Sequence, residues 1–175
     1  MGDLGSIRLV MSAPPPFQRV AAEQIQGSVG TLDALQELFA SARRTLKIFS
    51  PYVDASFSSL LRLARCPVRI VTTALERRRL RARPVLERCS IGFPLTVRYV
   101  SELQGGAQLF QMHAKMVVAD RDAAYLGSAN LTDTSLNYNL EMGVLIRDPG
   151  VVAQLDHVFD LVFEKLSVPA LRLRA

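Results

Sequence analysis

The stretch His113-Ala-Lys115-Met-Val-Val-Ala-Asp120-Arg-Asp-Ala-Ala-Tyr125-Leu-Gly-Ser128-Ala-Asn130 decides how the rest of the chain is read. Apolar runs on both sides of Asp120-Arg121-Asp122 predict two strands, Gln111–Ala119 and Ala123–Leu126, joined by a tight turn. Side chains alternate between the faces of a strand, so His113 and Lys115 project together to one side. Met112, Ala114, Met116 and Val118 project to the other, which must be a core face. Ser128 and Asn130 are again two apart, just past a strand antiparallel to the first. That geometry lets all four polar groups meet at one end of a sheet.

Outward from this hairpin, helical and extended patterns alternate. Ile7–Met11 predicts a short strand ahead of Pro14-Pro15-Pro16, and residues 17–30 fit no single pattern. Leu32, Leu35, Leu38 and Phe39 have helical spacing over Thr31–Arg43, with Thr31 as N-cap. Leu46–Ser50 predicts a strand, Ala55–Arg65 a helix, and Val68–Thr73 a β-branched strand. A further helix begins at Leu75, which Pro84 should interrupt or end. Leu95–Val100 predicts a strand and Ser101–Gln108 a loop. Leu140–Ile146 is a last strand, and Pro149 opens an amphipathic helix with Val151, Val152, Leu155, Val158, Phe159 and Val162, of which Val151, Leu155, Val158 and Val162 read as the buried face. The pattern predicts a single α/β domain over residues 1–175, a mixed sheet flanked by helices on both faces.

Composition narrows the class. Nearly half of the 175 residues are hydrophobic and 21% are charged, the balance of a compact protein with a sizeable core. No apolar run reaches the length of a membrane span, and the N-terminus reads as lacking a secretory signal, so a cytoplasmic location without a membrane is expected. Cys66 and Cys89 lie outside any metal-binding spacing and read as free, buried thiols; neither a metal site nor a cofactor is expected. Tyr52, Tyr125 and Tyr138 read as packing residues rather than stacking platforms.

The formal charge of +5 is concentrated in one window. Residues 76–100 carry seven basic and two acidic side chains, and the flanks cancel each other. Arg77, Arg78, Arg79, Arg81 and Arg83 form the patch. It suits a phosphate backbone, or equally a solvated helix surface, since at 100° per residue these arginines point several ways.

His-x-Lys-x(4)-Asp-x(6)-Gly-Ser-x-Asn, fulfilled at every fixed position from His113 to Asn130, resembles the HKD signature of the phospholipase D superfamily. Six fixed positions make it far more specific than most short motifs. Asn139-Leu-Glu141-Met-Gly143 resembles the trailing segment that supplies an acidic residue to the active site in that family. Ser50-Pro51-Tyr52 resembles a sheet-end loop that borders it. The specific match covers about residues 110–146.

The resemblance implies a phosphodiesterase in which one histidine attacks phosphorus, forming a phosphohistidine, while a second protonates the leaving oxygen. It implies that His113 fills both roles in two copies and that Lys115, Asn130 and Ser128 hold the phosphoryl oxygens. It assigns Glu141 to the imidazole and leaves Asp120 at the edge of the catalytic set, as an organiser of its turn. The chain has one other histidine, His157, expected on the solvent side of the last helix and lacking a lysine two residues on. A shared site in a homodimer follows. The size, the single motif and the basic window favour a nuclease acting on DNA or RNA, resembling the small bacterial endonucleases of the family. Alternatives are a lipid phosphodiesterase, or a nucleic-acid-binding subunit of a phage-defence or restriction-like system with little turnover.

Overall fold

Strand pairing organises the molecule around the motif hairpin. The computed structural model describes residues 6–73, 82–100, 103–104, 107–108 and 112–169. Its principal sheet has nine strands in the order β11-β5-β4-β3-β8-β9-β10-β1-β2. At the centre stand β3 (Leu46–Phe49), β8 (Lys115–Ala119) and β9 (Ala123–Gly127). On one side lie β4 (Val68–Thr73), β5 (Leu95–Val100) and β11 (Ser167–Pro169), and on the other β10 (Glu141–Ile146), β1 (Ile7–Ser12) and β2 (Val29–Gly30). Pairing is parallel through β3-β4-β5 and antiparallel through β3-β8-β9-β10-β1, so the sheet is mixed.

Helices cover both faces. On one side α2 (Thr31–Ser41), α3 (Ala55–Leu61) and α4 (Ala82–Ser90) pack Leu35, Phe39, Phe57 and Leu86 against Ile48, Ile70, Val117 and Tyr125. On the other, α6 (Pro149–Leu161) and the π-helical turn Val162–Leu166 press Val152, Phe159 and Phe163 onto Phe49, Val71, Met116 and Val118. Each buried aliphatic or aromatic side chain contributes about 1.5–3 kcal/mol of transfer free energy. The covered central strands therefore supply the main driving force.

Several sequence expectations change here. The strand before the turn was expected from Gln111 but begins at Lys115, leaving His113 just ahead of it. All five residues of β8 are buried, so it has core on both faces rather than one. Thr31 is the first residue of α2 and not its cap: Gly30 occupies the cap position without a side-chain bond. α4 continues past Pro84 to Ser90. Residues 74–81, where that helix was expected to begin, lie outside the described residues. The expected loop Ser101–Gln108 holds a two-stranded ribbon, β6 (Leu103–Gln104) paired with β7 (Ala107–Gln108). Residues 15–24, which fitted no pattern, form α1 (Pro15–Gln24), a helix that exposes Phe17 and Val20 and has no apolar stripe turned to the core. A last short helix, α5 (Asp133–Asn137), follows the motif.

The buried side of α6 is Val152, Asp156 and Phe159, one position displaced from the expected stripe, and Val151 and Val158 are exposed. The reason is ionic. Lys47, buried in β3, places Nζ 2.6 Å from Asp156 and 2.8 Å from Asp160, and Arg121 Nε stands 3.1 Å from the other Asp156 oxygen. Asp156 Oδ1 faces the ammonium out of line for a hydrogen bond, so that contact is an ion pair alone. Such a cluster turns a carboxylate inward that apolar periodicity would have put in water. Among the described residues no helix is long and apolar enough to cross a membrane.

Replacing Lys47 with Ala leaves Asp156 buried with only the exposed Arg121 to compensate it. A loss of about 3–5 kcal/mol is expected in urea unfolding at neutral pH.

Candidate active site

The site residues come from strand ends on one edge of the sheet. In register, Lys115 faces Gly127, which faces Gly143, so the start of β8, the end of β9 and the start of β10 form one row. The carboxyl end of β3 joins them through Ser50. Ser50 Oγ donates to the Tyr52 carbonyl at 2.7 Å and accepts from the Leu131 amide at 3.1 Å. Val53 bridges Leu131, and the Asp54 carboxylate accepts the Asp133 amide at 2.9 Å. The Ser50–Asp54 loop therefore fixes the backbone immediately after Asn130, as its resemblance to a site-bordering loop implied.

Lys115 is only 4% exposed, yet its ammonium reaches the strand end. Nζ donates to the His113 carbonyl at 2.8 Å and lies 2.9 Å from His113 Nε2. With the ammonium donating, Nε2 is assigned the lone pair and Nδ1 the proton. Burial pulls the Lys115 pKa below the ordinary lysine range, and the Glu141 carboxylate partly restores it. The His113 ring itself is exposed. A nitrogen of an exposed imidazole ring thus stands beside a cation held in the protein.

Ser128 and Glu141 form the other side. Ser128 Oγ donates to Glu141 Oε2 at 2.5 Å and accepts from the Met142 amide at 3.1 Å, and Asn139 Nδ2 donates to Glu141 Oε1 at 3.2 Å. Glu141 thus binds Ser128 and Asn139 and not the imidazole it was expected to orient. Among the described residues Asn130 Oδ1 is buried with no hydrogen-bond partner. His113, Lys115, Ser128, Asn130 and Glu141 therefore share one end of the sheet.

Asp120 does not join them. It ends β8 at the opposite edge, about 16 Å from Lys115 at 3.3 Å per residue. Its carboxylate accepts the amides of Arg43 at 2.6 Å, Arg44 at 2.7 Å and Thr45 at 2.7 Å. Its backbone is left-handed, with φ 55°, a region aspartate tolerates better than most residues. Asp120 pins the entry to β3 and lies outside the reacting group of residues, so its place in the catalytic set is withdrawn.

Of the basic window, Arg77, Arg78, Arg79 and Arg81 lie outside the described residues, as does the side chain of Arg83. His157 is exposed on α6, which covers the sheet face opposite to the one from which Lys115 projects. Tyr125 is buried as a packing residue, whereas Tyr138 is 58% exposed and packs little. Both cysteines are free, Cys66 buried and Cys89 partly so. Among the described residues no three His, Cys, Asp or Glu side chains converge as a metal site would require. Ser50, Asp54, Tyr125 and Asn139 escaped the sequence reading as supports. Three of them act through partners distant in sequence or through a backbone amide, and only Asn139, two residues from Glu141, carried a local hint.

The chain is a mixed-sheet α/β domain with a His–Lys pair and a Ser–Asn segment at one sheet end. Residues 35–162 match the family model described as cardiolipin synthase, PLD-like domain. The chain belongs to this phospholipase D-like phosphodiesterase family. Cardiolipin synthase A of Pseudomonas putida is 32% identical over 68 residues, 36% of this chain but 14% of that enzyme's length. Among solved structures, NucT from Helicobacter pylori superposes with a TM-score of 0.70 at 16% identity, covering 93% of this chain and 99% of its own. The phospholipase D family member Nuc from Salmonella typhimurium gives 0.65 at 16% identity, covering 94% and 97%. At that identity the likeness is one of fold.

The Asp120 anchor carries a pH signature. Burial opposes ionisation of its carboxyl, but the amides of Arg43, Thr45 and Arg44 and the Arg44 guanidinium outweigh it and hold the pKa below the ordinary value. A depressed carboxyl pKa stabilises above the unfolded value, near 4, and that stability is lost as pH falls through the folded pKa. Asp120→Ala should therefore lose about 3 kcal/mol at pH 7. Its deficit against wild type should shrink below about pH 4 in denaturant titrations.

Proposed function

We propose that this protein is a metal-independent phosphodiesterase that cleaves nucleic acid through a covalent phosphohistidine, at a site shared by two copies of the chain. The observation that carries the reading is the His113–Lys115 pair beside Ser128 and Asn130. A lone-pair nitrogen stands 2.9 Å from a buried ammonium, at the sheet end where the segment Ser128–Asn130 begins. His113 Nε2 attacks phosphorus and the P–O bond to the leaving group breaks. A second histidine gives that oxygen its proton, then takes a proton from water as the water displaces His113. Lys115 and the amide of Asn130 offset charge on the non-bridging oxygens, and Ser128 holds Glu141 in place beside them.

In this reading the second histidine is His113 of another copy; His157, the other histidine of this sequence, is exposed on the helix that covers the opposite face. Exposed apolar side chains beside the site favour such an association: Leu126, Leu140 and Met142 flank Ser128 and Glu141. The net charge of +5 suits a polyanionic substrate. A lipid phosphodiester is the second reading, favoured by the partial match to a cardiolipin synthase and by the same apolar residues.

Mixed dimers test the shared site. Wild-type and His113→Ala chains are combined with distinct tags, and heterodimers are assayed on an oligonucleotide in excess chelator, with phosphatidylcholine vesicles alongside. Heterodimers should be nearly inactive and wild-type homodimers active on the oligonucleotide. Full activity per wild-type chain would overturn the shared site, loss of activity with chelator the metal-free chemistry, and turnover of vesicles alone the nucleic-acid substrate.

The low pKa of Lys115 gives the pH profile an upper limb. Activity should fall as pH rises through a value below the ordinary lysine pKa of about 10.4. Lys115→Arg should remove that limb while lowering the rate, since a guanidinium stays charged but cannot match the ammonium's position.

A further inference from the structure

Beneath the site lies a phenol that the reaction scheme does not use. Tyr125, 1% exposed, projects from β9 on the face that carries Lys115 two register positions along. Gly127 and Gly143 lie beside it on β9 and β10. A methyl group at position 127 would come 2.3 Å from the Tyr125 hydroxyl, and one at 143 would come 2.7 Å from its ring. Neither glycine has a positive φ, so both are needed for space and not for backbone freedom. The ring fills the volume that two missing side chains leave under the row Lys115–Gly127–Gly143.

The hydroxyl is then well placed. It accepts the amide N–H of Ala129 at 3.3 Å, in a buried position. Ala129 lies between Ser128 and Asn130. Two neighbouring amides are also held: Ser128 N by the Met142 carbonyl and Leu131 N by Ser50 Oγ. Tyr125 supplies the middle one of three anchors.

We propose that Tyr125 is a positioning residue for the reaction: by capturing the Ala129 amide it fixes the Asn130 amide against the phosphoryl oxygens and the Ser128 hydroxyl on Glu141. The proposal rests on the phosphodiesterase reading. Burial pushes the phenol up to about 12, with the Ala129 amide opposing and Glu141 adding to the rise. The hydroxyl therefore stays neutral across the working range, and its role is geometric rather than acid–base.

The test is Tyr125→Phe, which keeps the ring and removes the acceptor. Turnover of the chromogenic diester bis(p-nitrophenyl) phosphate should fall about tenfold in kcat with KM within twofold, because the lost alignment matters most in the transition state. Amide hydrogen exchange at Ala129 should speed up at least tenfold. Leu86→Val, a packing change in α4 far from the site, serves as a stability control and should leave kcat unaltered. Ser128→Ala should cost much less in the Tyr125→Phe background than in wild type. Unchanged kcat with unchanged exchange would overturn the proposal, as would a loss no greater than in a control of equal stability. If the wild type turns over no phosphodiester, the functional reading fails, and the exchange measurement still decides whether Tyr125 holds Ala129.

Discussion

A lysine ammonium held in a nearly closed environment is the constraint from which the rest follows. Lys115 begins a strand covered by core on both faces, so its stem cannot leave the sheet and its charge can emerge only at the strand end. There it meets the carbonyl and ring nitrogen of His113. A flexible surface lysine would lose conformational freedom whenever it bound a phosphate. Here folding has already taken that loss, and the hydrophobic clusters on both sides of the sheet supply the compensation. Preorganised charge of this kind stabilises a developing oxyanion without rearrangement at the moment of reaction.

The supports of the site form a second layer with one theme: backbone amides captured by side chains. Ser50 takes Leu131, Tyr125 takes Ala129, and Asp54 takes Asp133. Each links segments that are separate in the chain or turns a corner within one. Asn130 stands in the middle of these fixed points, so the segment that carries it is anchored on both sides.

Much of this was legible in the sequence because short-range rules governed it. β-branched runs gave β4 and β5, a proline gave the start of α6, and alternation brought His113 and Lys115 to one end of the sheet. What stayed hidden depended on partners far along the chain. The face of α6 was misread because Asp156 is drawn inward by Lys47, a charge from another element. Asp120 was grouped with the reacting residues because a motif records order and spacing but not the length of the strand between them. α1 gave no pattern because it turns no apolar stripe to the core. Glu141 was assigned to the imidazole by family resemblance, whereas its neighbours Ser128 and Asn139 occupy both of its oxygens.

The two glycines over Tyr125 close off the spot to simple exchange. A side chain at 127 or 143 would meet the tyrosine and also a backbone carbonyl at 2.8 Å, that of Met142 or of Leu126. Enlarging either glycine therefore requires both the tyrosine and the adjoining strand to move, and moving the tyrosine takes the acceptor from the Ala129 amide. Gly127, which reads as a motif letter, is also the record of what is packed around it.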